Sequence, residues 1–239
     1  MKSMPRNFFL CLLFFAFFSG TIAKQWKILF VGNSLTYAND VPSIINELAR
    51  QEGREMTSSS FLFPDYSLED HWNEGKVKAE LEKGDYDFVV AQQGPSALPE
   101  SRVLLIDYSN RFAEASKTNK AKFALYMVWP SRARSFDMDK VITSYSQAAE
   151  KTGSILCPAG KAWKLAWQSE PTLPLYSPDN FHPSMMGSVL AAFTIYATLA
   201  NKKDLDFIRY ELSTWKDEIS EAQFGVLKAA AVRSIGNGQ

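Results

Sequence analysis

Ile28-Leu29-Phe30-Val31-Gly32-Asn33-Ser34-Leu35-Thr36 decides how the rest of this chain is read. An apolar run with the character of a β-strand stops at a glycine. A hydroxyl residue follows at once, and a helical pattern begins a few residues later. A serine on a sharp strand-to-helix turn stands clear of its neighbours, and its own N–H faces the same space as its Oγ. Nucleophilic attack creates an oxyanion that needs N–H donors close by. Gly-Asn-Ser is also ordinary turn chemistry, so the stretch acquires meaning only from its surroundings.

Upstream, Lys2 and Arg6 precede an unbroken apolar run from Phe8 to Phe18, and Ser19-Gly20-Thr21-Ile22-Ala23 supplies small residues. This is the layout of a secretory signal peptide with cleavage expected after Ala23. The run is shorter than the roughly 20 apolar residues of a membrane span. Residues 1–23 are therefore expected to be a leader, residues 24–239 a single domain, and the location secreted or periplasmic, with no stable membrane span after cleavage. Cys11 lacks the preceding small residues of a lipid-anchor site. Cys157 is the only cysteine beyond the leader, so no intramolecular disulfide is expected. Basic and acidic residues number 26 each. No basic stripe is present, which argues against nucleic acid as a partner.

Downstream, strands alternate with helices. Strands are expected at Trp26–Val31, Thr57–Phe63, Tyr86–Ala91, Lys122–Trp129 and Ser154–Cys157. Helices are expected at Pro42–Gln51 (capped by Asp40), from Ser67 towards Glu82 (Ser67 as cap, Asp70 at the capping-box position), and at Ser101–Lys117, Asp137–Thr152, Ala159–Gln168, Ser184–Ala200 and Ser213–Ser234. The pattern predicts one parallel sheet with helices on both faces. In such sheets the ligand site lies beyond the carboxyl ends of the strands. Ser34 follows the first strand, Asp65 to Ser67 the second, and Gln92 to Ser96 the third, so three polar loops are expected to converge on one edge.

A serine nucleophile needs a base, and the chain contains two histidines, His71 and His182. His182 ends the Pro-rich loop Ser177-Pro178-Asp179-Asn180-Phe181-His182-Pro183-Ser184. One turn of chain lets the Asp179 carboxylate reach Nδ1 of His182, which leaves Nε2 free to take the Oγ proton. An isolated Asp-x-x-His is equally a capped turn; its pairing with Gly32-Asn33-Ser34 gives it weight.

The combination resembles the SGNH (GDSL-like) hydrolase family. Gly32-Asn33-Ser34-Leu35 matches the first block, with Asn for Asp, and Asp179 to His182 matches the last. The resemblance spans Lys27 to about Leu199. It implies a flavodoxin-like three-layer α/β/α fold with a five-stranded parallel sheet, and ester hydrolysis without metal or cofactor. Ser34 would be the nucleophile, His182 the base and Asp179 its orienting acid. Two blocks depart from the family. Pro64-Asp65-Tyr66-Ser67-Leu68 lacks the glycine that supplies an oxyanion N–H, so the donor is expected at Asp65 or Tyr66. The third block, normally glycine, any residue, asparagine, here reads Gln92-Gln93-Gly94-Pro95-Ser96. Gln92 or Gln93, rather than Ser96, is expected to replace the asparagine, beside the N–H of Ser34 itself.

His71 and Trp129 are further candidates as substrate contacts at the rim. Each is equally readable as a packed residue. There is no Gly-rich phosphate loop with a lysine and no Cys/His cluster with zinc spacing. A flavin site is conceivable on such a sheet, but it would leave Asp179 and His182 without a purpose. The expected activity is hydrolysis of a small acyl ester, with a carbohydrate O-acetyl group as one substrate. The alternative is a ligand-binding domain of the same fold with a degenerate oxyanion hole.

Overall fold

The computed structural model describes residues 25–236; the leader expected at residues 1–23 lies outside the described residues. Five parallel strands, β1 (Trp26–Gly32), β2 (Met56–Leu62), β3 (Phe88–Ala91), β4 (Lys122–Tyr126) and β5 (Ile155–Cys157), form one sheet in the order β2-β1-β3-β4-β5. This is the flavodoxin-like doubly wound order, whose direction of winding reverses between β1 and β3. The register brings the carboxyl ends level: Gly32 lies opposite Leu62, Val31 opposite Ala91, and Ala91 opposite Leu125. The loops after β1, β2 and β3 therefore leave the sheet side by side.

Nine α-helices complete the described residues: α1 (Ser34–Tyr37), α2 (Val41–Gln51), α3 (Leu68–Glu74), α4 (Lys76–Glu82), α5 (Pro99–Thr118), α6 (Met138–Thr152), α7 (Ala159–Ser169), α8 (Met185–Leu199) and α9 (Glu221–Ile235). Helices α3, α5 and α6 pack together on one face of the sheet; α2, α7 and α8 lie on the other, with α9 laid over α7 and α8. That extra layer explains the sequence of α8. It is apolar all round and buried along almost its whole length, as a helix covered on every side must be. The edge strand β2 exposes its Thr57 and Ser58, and polar residues suit a sheet edge.

Local signals placed most boundaries. Asp40 caps α2 through Ser43 N–H, and Ser67 and Asp70 form the capping box of α3. Two helices differ from expectation. The segment from Ser67 to Glu82 is two helices, because Gly75 breaks it in the left-handed conformation (φ 76°), which glycine adopts at no steric cost. The last helix begins at Glu221 and not at Ser213, because Ser220 and Gln223 form a second capping box. The residues before it are held by other bonds: Thr214 donates from its N–H and Oγ1 to Glu47, and Trp215 is buried. Strand β4 ends at Tyr126, short of Trp129, because β3 ends at Ala91 and β5 at Cys157.

Candidate active site

Ser34 is the first residue of α1 and is 7% exposed. As the first helical residue it has an N–H with no intrahelical partner. Asn33 makes the turn. Its Oδ1 caps the helix by accepting from Leu35 N–H (3.1 Å), and its Nδ2 donates to Tyr66 O (2.9 Å) in the loop after β2. A carboxylate at position 33 has no hydrogen to donate to Tyr66. The amide therefore does something the family's aspartate cannot: it ties the first and second loops together.

Gln92 holds the turn from the other side. It is fully buried, and its amide is saturated. Oε1 accepts from Asn33 N–H (2.8 Å) and Thr36 Oγ1 (3.0 Å); Nε2 donates to Asn33 Oδ1 (2.9 Å) and Gln93 O (3.0 Å). A Cβ on residue 32 would sit 2.0 Å from Gln92 Oε1, so glycine is required there for close approach. With both amide hydrogens committed, Gln92 has none for an oxyanion, and the expectation that it is a donor is corrected. Gln93 differs. Its Oε1 accepts from Leu68 N–H (3.3 Å), and one Nε2 hydrogen goes to Ser96 Oγ (2.8 Å). The second hydrogen has no acceptor among the described residues.

The loop after β2 sorts its donors in the same way. Phe63 N–H donates to Gly32 O, Tyr66 N–H to Phe63 O, Ser67 N–H to Asp70 and Leu68 N–H to Gln93. Pro64 has no N–H, so the Asp65 amide is the one left over. Asp65 adopts φ 60°, the left-handed region where glycine is most at ease and aspartate is tolerated. The backbone shape of a glycine is thus present without the glycine.

His71 does not reach the rim. It is fully buried under the Ser34 turn, with Nε2 2.8 Å from Gly32 O and Nδ1 unpartnered. Burial lowers its pKa; the ring is neutral and donates from Nε2. Trp129 is also fully buried, stacked on Trp163 with centroids 3.6 Å apart. Both expected substrate contacts are corrected to packing roles, because both side chains are fully buried, His71 against Phe63 and Tyr66 and Trp129 against Trp163 and Tyr126.

His182 and Asp179 lie on the loop before α8. Asp179 Oδ2 is 2.6 Å from His182 Nδ1, and its Oδ1 accepts from Ser177 Oγ (2.7 Å) and from the N–H groups of Phe181 and His182 (both 2.9 Å). The His182 imidazole, then the Phe181 N–H and the Ser177 hydroxyl, hold this carboxyl well below the usual carboxylate range. An ionised Asp179 makes Nδ1 the donor and leaves the lone pair on Nε2. The loop is fastened to the sheet edge from several sides. Arg132 N–H donates to Asn180 O (2.8 Å), Trp129 Nε1 to Phe181 O (3.4 Å) and Tyr176 Oη to Pro130 O (2.6 Å). Asn39, just past α1, donates to Pro183 O (3.0 Å). His182 is thereby brought to the edge that carries Ser34. No hydrogen bond joins Ser34 to His182; catalytic contacts of this kind often tighten only with substrate.

Two residues of the site carried no sequence signal. Tyr145, in the middle of α6, donates to Gln93 O (2.7 Å) and supports the third loop from behind. Tyr176 anchors the His182 loop, and burial pushes its hydroxyl up to about 12, so it remains a donor at neutral pH.

No family model matches the chain, and no curated protein matches it in sequence. Solved structures do. A Slackia heliotrinireducens protein described as an SGNH hydrolase is 27% identical, with a TM-score of 0.62 over 74% of this chain and 100% of that one. A DUF4886 family protein from Bacteroides uniformis is 17% identical, with a TM-score of 0.72 over 89% of this chain and 95% of that one. A variant of Axe2, an acetyl xylan esterase from Geobacillus stearothermophilus, is 16% identical, with a TM-score of 0.59 over 76% of this chain and 97% of that one. Strand order and these likenesses together give the chain the three-layer α/β/α fold of the SGNH hydrolases.

Proposed function

We propose that the chain is an exported serine esterase acting on small acyl esters, O-acetyl groups on carbohydrates among them. The observation that carries this reading is the Asp179–His182 pair, fastened by independent hydrogen bonds to the sheet edge where Ser34 stands. Ser34 Oγ attacks the ester carbonyl while His182 Nε2 takes its proton. Asp179 holds the ring in that tautomer and stabilises the imidazolium. The N–H groups of Ser34 and Asp65 and the uncommitted Nε2 hydrogen of Gln93 stabilise the oxyanion. His182 then protonates the leaving alcohol, and water, activated by the same base, releases the acyl group. The acetyl xylan esterase likeness supports a carbohydrate ester as substrate, and the Lys2-to-Ala23 leader supports export.

A fluorophosphonate probe tests this directly. It should label the wild type and not S34A, and the wild type should hydrolyse p-nitrophenyl acetate. No labelling together with no turnover would instead make the chain a binding domain with a degenerate oxyanion hole.

A further inference from the structure

Beside the His182 loop lies a pocket of about 240 Å³. Pro95, Ala97, Leu98, Pro130 and Phe181 give it an apolar wall, and Arg134 and Asp137 line it as well. Phe181 directly precedes His182. On the mechanism above, His182 hands its proton to the leaving oxygen, and a leaving alcohol that extends past Phe181 enters this pocket.

The Arg134–Asp137 pair is unusual for a surface loop. The Asp137 side chain is 1% exposed. One of its oxygens accepts from Arg134 Nε (2.9 Å) and Nη2 (2.7 Å), and the other accepts from Lys140 Nζ (2.8 Å). A carboxylate is costly to bury, and these cations compensate it. Its effect on the arginine is to fix a planar guanidinium in place. The Arg134 side chain remains half exposed, and its Nη1 makes no hydrogen bond to a described residue. Two cations on one carboxylate leave the group with one positive charge, and Arg132 lies exposed on the same turn. A fixed guanidinium with free N–H groups matches a carboxylate in both geometry and charge.

We propose that this pocket selects esters whose leaving alcohol carries an anionic group, such as the carboxylate of an acidic sugar. Arg134 is the residue that recognises it, and Asp137 and Lys140 are positioning residues. The inference rests on the esterase reading of the site. It is tested with 4-acetoxybenzoate and its neutral isostere 4-acetoxybenzamide, together with calorimetric binding of 4-hydroxybenzoate and 4-hydroxybenzamide to S34A. The wild type should favour the anionic ester by about tenfold or more in kcat/KM, and R134Q should lower that ratio about tenfold, the scale of one charge-assisted hydrogen bond. R134K should restore part of the ratio. Equal hydrolysis of the two esters, or an unchanged ratio in R134Q that still turns over, overturns the proposal and leaves the esterase intact. Turnover of neither ester with preferential binding of 4-hydroxybenzoate would overturn the esterase reading and support the anion pocket.

Discussion

The turn that carries Ser34 is buried and cross-linked to three other segments, whereas the loop that carries His182 is partly exposed and its Asp179–His182 pair is bonded within the loop. Ser34 depends on Asn33, Gln92, the loop after β2 and His71, all polar groups in a dry setting where each unmade bond is costly. His182 depends on a carboxylate three residues away. The Ser34 turn is therefore held by tertiary bonds throughout, whereas the orientation of the His182 ring within its loop is set by local chain geometry. Changes on the two sides should fail in different ways: the first in stability, the second in rate.

The largest expected effect lies on the exposed side. D179N should lower kcat by up to about 10⁴-fold, because an amide favours the wrong imidazole tautomer, while the melting temperature hardly moves. Next comes Q93A, which removes a proposed oxyanion donor and should lower kcat by about 10²–10³-fold with little change in KM. Its neighbour reverses the pattern. Q92A strands buried Asn33 N–H and Thr36 Oγ1, and at roughly 1–3 kcal/mol for each unsatisfied group it should register first as lost stability in denaturant unfolding. Equal thermal and kinetic behaviour of Q92A and Q93A would erase the distinction between them. N33D introduces the aspartate of the family's first block, which cannot donate to Tyr66 O. It should cost roughly 1–3 kcal/mol, read by the same unfolding measurement.

The smallest effect is a pH dependence. The folded Asp179 carboxyl titrates below its unfolded value of about 3.9. Its contribution to stability is present above that value and is lost as pH falls through the folded one. The difference in melting temperature between wild type and D179N should be small and constant above about pH 5, and shrink only in more acid solution, because an exposed pair contributes little. A difference that instead grew on acidification would contradict the assigned ionisation.

Much of this was legible beforehand because its determinants are local. Capping residues marked the starts of α2 and α3, and apolar runs marked the strands. The three-residue spacing puts Asp179 within reach of His182, and the Gly-Asn-Ser turn gives the pair its meaning. Gln92 and Gln93 could not be told apart. They are adjacent and chemically identical, and alternation along the extended chain sends one amide under Asn33 and the other towards Leu68 and Ser96. The sequence leaves His71 and Trp129 open between rim and core for a related reason: a polar or aromatic residue near a loop does not announce whether another layer closes over it. Tyr145 was invisible, because its hydroxyl serves a loop about fifty residues away.

By itself, the sequence determined the strand-helix alternation, the Gly-Asn-Ser turn and the local pairing of acid and base, since each follows from neighbours along the chain. Only the tertiary structure decided which glutamine holds the turn and which keeps a hydrogen free, that Asp65 rather than Tyr66 has an unspent N–H, and that Arg134 is set beside a pocket by a buried carboxylate. Those outcomes turn on which hydrogen-bonding groups are already satisfied, and that depends on segments far apart in the chain.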